Sequence, residues 1–145
     1  MLTVYLDFGG YEKSLEPLRN ARLIRLISAD IDGGTGTKVS RYVHKVKATL
    51  PVYEKDRGSY ADATGTYADD DNASEQFENI RKIVGRGNIK DARHLDTAYR
   101  NKSSVYITSD KGDIWNHRVD IEALLNLVVL RPCEIPQLEA MCRDC

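Results

Sequence analysis

Four aspartates carry most of the chemical potential of this chain: Asp7, Asp91, Asp110 and Asp113. Asp110 and Asp113 stand close together in SSVYITSDKGDIW, residues 103–115, separated by Lys111 and Gly112. Taken alone, that stretch reads as a turn, because Asp is a favoured helix cap and turn former. Asp91 alone likewise reads as a helix cap. Carboxylates gathered at one point behave differently. They raise each other's pKa by repulsion, and a bound divalent ion reverses this. An all-oxygen donor set suits Mg2+ or Mn2+ over zinc or copper. Such ions lower the pKa of a water and stabilise the oxygens of a phosphoryl displacement. The chemistry at stake is metal-assisted hydrolysis of a phosphate ester, and it requires a fold that brings these acids together.

The elements that must do so can be placed from the hydrophobic pattern. LTVYL, 2–6, is a compact buried strand ending at Asp7. Residues 104–108 form a strand that ends just before Asp110, and VVL, 128–130, forms a last short strand stopped by Pro132. RLIRLIS, 22–28, reads as a second strand, with Arg25 splitting its apolar pairs so that helix stays open. Helices are expected over 13–20, with Ser14 as N-cap and Leu15 and Leu18 inward, over 120–127, and over the tail 134–142. Asn72 caps another, with Glu75 as its capping-box partner; Phe77, Ile80, Ile83 and Val84 line one face, and Gly85 and Gly87 end it. A further helix over 89–101 buries Ile89, Ala92, Leu95, Ala98 and Tyr99. VSRYVHKVKATL, 39–50, fits a helical face, while its β-branched residues suit a strand.

Strands alternating with helices predict an α/β domain with a mainly parallel sheet. In such sheets reactive groups gather beyond the carboxyl ends of the strands. Asp7 and Asp110 both follow strand ends. The helix feeding the 104–108 strand runs antiparallel to it, which brings Asp91, at the helix start, to the same edge as Asp110 and Asp113.

With 145 residues the chain is expected to be one domain, 1–145, with a polar flexible insert at about 54–72 in which Tyr60-Ala61-Asp62 is echoed by Tyr67-Ala68-Asp69. A formal charge of −1 argues against a protein wrapped on long duplex nucleic acid, but allows contact with a short single strand. No apolar run reaches the length of a membrane span, so no membrane partner is expected. Three cysteines cannot all pair within the chain; Cys142 and Cys145 form a terminal CxxC with only Cys133 near, too few ligands for a zinc knuckle, and reduced thiols in a cytoplasmic protein are expected. The Gly-rich DIDGGTGT, 30–37, is not a P-loop, because Thr37 precedes Lys38.

Together, VYLD at Asp7, DARHLDTA from Asp91, VYITSDKGD with Asp110 and Asp113, and ALLNLVVLRP resemble a PIN domain, the fold of VapC-type toxins of type II toxin–antitoxin systems. The likeness is fullest over 89–132, fair over 1–10 and weak between 30 and 75. It implies a three-layer α/β/α sandwich around a parallel sheet and a Mg2+- or Mn2+-dependent endoribonuclease that attacks the RNA phosphodiester with a metal-activated water. By the same resemblance Asp7, Asp91 and Asp110 hold the metal, Asp113 adds a direct or water-mediated ligand, and Thr108 or Ser109 positions a ligand or the phosphate. RNA, a cognate antitoxin protein and a homodimer partner are implied in the same way. The chain departs from the pattern at Gly9, where the family carries a polar residue, and in the second acid, for which Asp32 is favoured by position and Asp30 next. These departures favour the alternative of a catalytically weak or inactive PIN-like module that binds RNA or protein. A phosphatase with Asp7 as nucleophile would need a second Asp where Gly9 stands.

Outside the acids, His94 reads as a structural or surface histidine before it reads as a substrate contact. Arg41, His44, Lys45 and Lys47 around Tyr42, and Arg81, Lys82, Arg86, Lys90 and Arg93 before and after Asp91, are two basic clusters that suit RNA phosphates or a solvated face. Asp69, Asp70 and Asp71 precede a helix N-terminus and carry no chemistry, and Trp115 is a packing residue.

Overall fold

The computed structural model describes residues 1–7, 10–29, 43–49, 73–85, 87–109 and 112–144. Five parallel strands form one sheet: β1 (Leu2–Leu6), β2 (Ile24–Ser28), β3 (His44–Lys45), β4 (Val105–Ile107) and β5 (Val128–Leu130), in the order β3-β2-β1-β4-β5. The helices are α1 (Glu16–Asn20), α2 (Phe77–Val84), α3 (Ile89–Arg100), α4 (Asp113–Asn116), α5 (Arg118–Leu125) and α6 (Ile135–Asp144). The mainly parallel α/β sandwich expected from the alternation of patterns is therefore present.

Period two along the strands divides the core into two layers. Val4 and Leu6 of β1, Ile24 and Leu26 of β2, and Val105 and Ile107 of β4 face α1 and α6, where Leu15, Leu18, Ile135 and Leu138 close over them. Tyr5, Ile27, Tyr106 and Val129 point the other way, toward Ile80 and Val84 of α2, Leu95 and Ala98 of α3, and Ile121 and Leu125 of α5. Strands buried on both faces read as nearly unbroken apolar runs, which is why β1, β4 and β5 are conspicuous in the sequence.

Some expectations need correction. Residues 43–49 are not helical: His44 and Lys45 pair in parallel with Ile27 and Ser28. Val43 joins the α1/α6 layer, while Val46 and Ala48 pack on the other. That is the side-chain alternation of an extended chain, and tertiary pairing decides a segment whose pattern fits both periods. Ser14 lies within a 3-10 turn, Lys13–Leu15, and caps no helix; Leu15 and Leu18 are buried as expected. The helix assigned to an Asn72 cap begins only at Phe77, after Gln76. Gly85 follows it with φ +98°, a conformation glycine adopts without strain. Asn72, Asp30, Asp32, Gly9, Asp69 to Asp71, Asp110 and the 54–72 insert lie outside the described residues.

Strand order reverses direction at β1: β2 and β3 extend to one side, β4 and β5 to the other. Such a switch point opens a crevice beyond the carboxyl ends of the two central strands. Asp7 follows β1, and Thr108 and Ser109 follow β4, so the sheet delivers these residues to that crevice. Gly10 is required there. Its amide donates to the Asp7 carbonyl at 2.8 Å, and a Cβ at this position would stand 2.5 Å from the Ile107 carbonyl oxygen. Gly10→Ala should therefore push the turn away from β4 and destabilise the fold by roughly 1–3 kcal/mol, the usual cost of forced overpacking. Denaturant unfolding measures it.

Candidate metal centre

β1 and β4 are in direct register, with Tyr5 opposite Tyr106. Their rings stack at 5.3 Å between centroids, with 12° between planes, and both are fully buried. Residues two apart on a strand share a face, so Asp7 follows Tyr5 and Thr108 follows Tyr106 toward the α3 side. The Thr108 hydroxyl donates to Asp7 Oδ2 at 3.0 Å. Ladder bonds continue past both strands, from the Asp7 amide to the Ile107 carbonyl and from the Thr108 amide to the Leu130 carbonyl, each at 3.0 Å. The site thus rests on the regular part of the sheet.

α3 supplies the other wall. Asp91, His94, Leu95 and Ala98 recur at the spacing of one helical face, and Leu95 and Ala98 are buried in the core beneath it. Asn88 occupies the N-cap position, which leaves Asp91 in the first helical turn, so its carboxylate does not serve as the cap. His94 is buried, with Nε2 3.4 Å from Asp7 Oδ1 and Nδ1 2.7 Å from the Tyr5 hydroxyl. The Asp7 side chain is 8% exposed.

The charges of Asp7 and, more weakly, Asp91 both bear on Tyr106. Burial, and then the negative charge of Asp7, push the Tyr106 hydroxyl well above its ordinary pKa; Tyr5 and Asp91 add to the shift. That hydroxyl has no partner in hydrogen-bonding geometry among the described residues, although Asp7 is near enough to bias it.

Of the four aspartates singled out by sequence, the structure sets Asp7 at the end of β1, facing the crevice, and Asp91 in the first turn of α3, the helix whose His94 reaches Asp7. Asp110 lies outside the described residues, immediately beyond Ser109. Asp113 opens α4 and is half-buried, with its backbone carbonyl 2.7 Å from His117 Nδ1. Among the described residues, no three of His, Cys, Asp or Glu are grouped to hold a metal ion. The acid at the crevice offers hard oxygens, and Mg2+ is commonly held by one or two carboxylates with waters and substrate phosphates completing its shell, so Asp7 suits that ion.

Within the basic cluster around α2 and α3, Lys82 and Lys90 are exposed, while Arg81 and Arg93 are engaged by protein groups. Arg81 is buried, 3.1 Å from Glu78 and over the Phe77 ring, and Arg93 donates to the Thr49 carbonyl at 2.7 Å. Arg86 lies outside the described residues. Trp115 packs against the α3-side core under two guanidiniums, Arg118 at 4.3 Å and Arg131 at 4.0 Å. Cys142 is buried among the α6 residues and Cys133 is exposed. No helix among the described residues is long and apolar enough to cross a membrane.

Tyr5 and Tyr106 are the residues beside Asp7 that sequence reading passed over, although each stands two positions before a candidate site residue on the same strand face. His94, read from sequence first as a structural or surface histidine, is buried beside Asp7.

No family model matches the chain, and no curated protein or solved structure matches it.

Proposed function

We propose that the chain is a PIN-type, Mg2+- or Mn2+-dependent endoribonuclease, acting as the toxin of a type II toxin–antitoxin pair. The observation that supports this reading is Asp7 at the crevice where the strand order reverses, bonded by Thr108 at the end of the strand that leads to Asp110 and faced by His94 of the helix that carries Asp91. Asp7, Asp91 and Asp110 would hold the ion, with Asp113 as a further ligand. The ion would supply a water of lowered pKa and neutralise charge on the phosphoryl oxygens. Thr108 holds Asp7 Oδ2, and the buried Tyr5–Tyr106 stack keeps the floor of the crevice dry. RNA is the substrate, and an antitoxin protein and a second copy of the chain are the protein partners this reading includes.

A second reading has one observation in its favour. Among the described residues no three of His, Cys, Asp or Glu are grouped to hold a metal ion, which suits a PIN-like module that binds RNA or protein without cutting. Incubation with RNA separates the two. The nuclease reading expects cleavage in Mg2+ or Mn2+, none in EDTA, and loss in Asp7→Asn and Asp110→Asn. Cleavage unchanged in both variants would overturn the site, and RNA binding without metal-dependent cleavage would establish the module.

A further inference from the structure

We propose that Arg118 and Arg131, stacked on Trp115 at the edge of the crevice, bind a phosphodiester of single-stranded RNA next to the one that is cut. The inference rests on the ribonuclease reading above. Register places Arg131 in one row with Asp7 and Thr108. Tyr5 pairs with Tyr106 and Tyr106 with Val129, and all three lie in the α3-side layer. Two residues further along the chain from each stand Asp7, Thr108 and Arg131, on the same face. The row holds past the strand ends. The Thr108 amide donates to the Leu130 carbonyl at 3.0 Å, and Arg131 is itself extended, at φ −93° and ψ 162°. Its guanidinium lies 4.0 Å from the centre of the Trp115 ring, and Trp115 packs on that same layer. Two strand spacings, about 10 Å, separate the Arg131 backbone from that of Asp7. Arg131 is therefore beside Asp7 along the crevice edge and does not crowd it.

Stacking fixes these cations without using their donors. A guanidinium carries its N–H groups in its own plane, so a face laid on an indole leaves the rim for an anion. Arg131 donates no side-chain hydrogen bond among the described residues, and its Nε is buried without a partner. Arg118 lies 4.3 Å from the same ring centre and uses Nη1 on the Trp115 carbonyl at 3.2 Å. Neither guanidinium is ion-paired to a carboxylate among the described residues. Arg118 also opens α5, where a cation opposes the helix dipole. Two like charges on one ring with no acid between them are unfavourable for stability alone. They suit a phosphate, whose oxygens accept from planar guanidinium forks in pairs.

Trp115 is the single tryptophan of the chain, so its fluorescence reports on this place alone. The test is titration of wild type with a short labelled oligouridylate in EDTA, where no ion contributes. Trp115 emission should change along the same saturating curve as the anisotropy of the RNA label. Arg131→Gln and Arg118→Gln should each weaken binding about tenfold or more at low salt, as expected for a lost hydrogen bond to a charged group. Each should also flatten the salt dependence by about 0.7 in log–log slope, the contribution of one phosphate contact on a single strand. Oligoadenylate should lose the same factor, because phosphate contacts carry no sequence. The exposed Arg25→Gln should match wild type. RNA that binds without altering Trp115 emission, or that binds both arginine variants as it binds wild type, would overturn the proposal. If one variant does not fold, the wild-type emission curve and the other variant decide. The underlying reading fails separately: arginine-dependent binding with no cleavage in Mg2+ or Mn2+ removes the nuclease and keeps the phosphate site, whereas cleavage with unaltered binding in both variants removes the phosphate site alone.

Discussion

Asp7→Asn is expected to lower Mg2+-dependent RNA cleavage by about a thousandfold or more while leaving the metal-free fold intact. The loss follows from removing a charged ligand where several kcal/mol of charge stabilisation depend on the ion, at about 1.36 kcal/mol per factor of ten. Retention of the fold follows from the partners of the carboxylate. An amide can present its oxygen to His94 Nε2–H and its NH2 to the Thr108 hydroxyl, which can rotate to accept. The variant also removes one of two like charges beside the buried Tyr106 hydroxyl. Its metal-free unfolding temperature should equal or exceed that of wild type, as expected where function is held at some cost in stability. Cleavage assays and thermal unfolding on the same preparations measure both arms; a large drop in unfolding temperature would mean that Asp7 is a structural acid.

The largest stability effect is expected at Asp96, an acid with no part in the proposed chemistry. It is fully buried on the opposite side of α3 and accepts from the Thr49 hydroxyl at 2.7 Å, from the Ser74 amide at 3.0 Å and from the Ser74 hydroxyl. Thr97 extends the network, with its hydroxyl accepting from the Thr49 amide at 2.9 Å and donating to the Arg93 carbonyl at 2.6 Å. Arg93 and Arg100 close on the Thr49 carbonyl and hydroxyl at 2.7 and 3.3 Å. This single carboxylate joins α3 to the segment after β3 and to the approach to α2. Asp96→Ala strands the Ser74 amide and leaves the two hydroxyls with poorer partners. At about 1–3 kcal/mol for each buried group left unpaired, the loss should be about 3 kcal/mol or more. For a chain of this size that lowers the unfolding temperature by roughly 6–12 °C. Asp96→Asn keeps one acceptor and should lose less. A shift of only a degree or two in Asp96→Ala would show that the network is dispensable.

These two acids also show what the sequence could and could not reveal. Asp7 was legible because it ends a short apolar strand at the chain's first element, and α/β topology says where strand ends lead. Asp91 was legible from the helix that must return to β4. Asp96 was not, since its partners lie 47 and 22 positions away and nothing local marks an acid as buried. His94 was hidden for the same reason: it gains its role only when β1 sets Tyr5 and Asp7 on either side of it. Arg81 looked like a solvated charge, yet Glu78 one turn earlier and the Phe77 ring allow it to be buried. β3 was ambiguous because its apolar residues satisfy both periods, and only its pairing with Ile27 and Ser28 chooses between them. The longer elements α2, α3, α5 and α6 were found with shifted ends, since capping geometry is set by neighbours as much as by the capping residue.

The most direct measurement is Mn2+ binding by wild type and by Asp7→Asn, Asp91→Asn and Asp110→Asn, with the exposed Asp120→Asn as control. The metal-centre account predicts that each of the first three weakens binding by at least about tenfold, or about 1.4 kcal/mol, and that the control matches wild type. Equal Mn2+ affinity in all five proteins, or none in wild type, would contradict it.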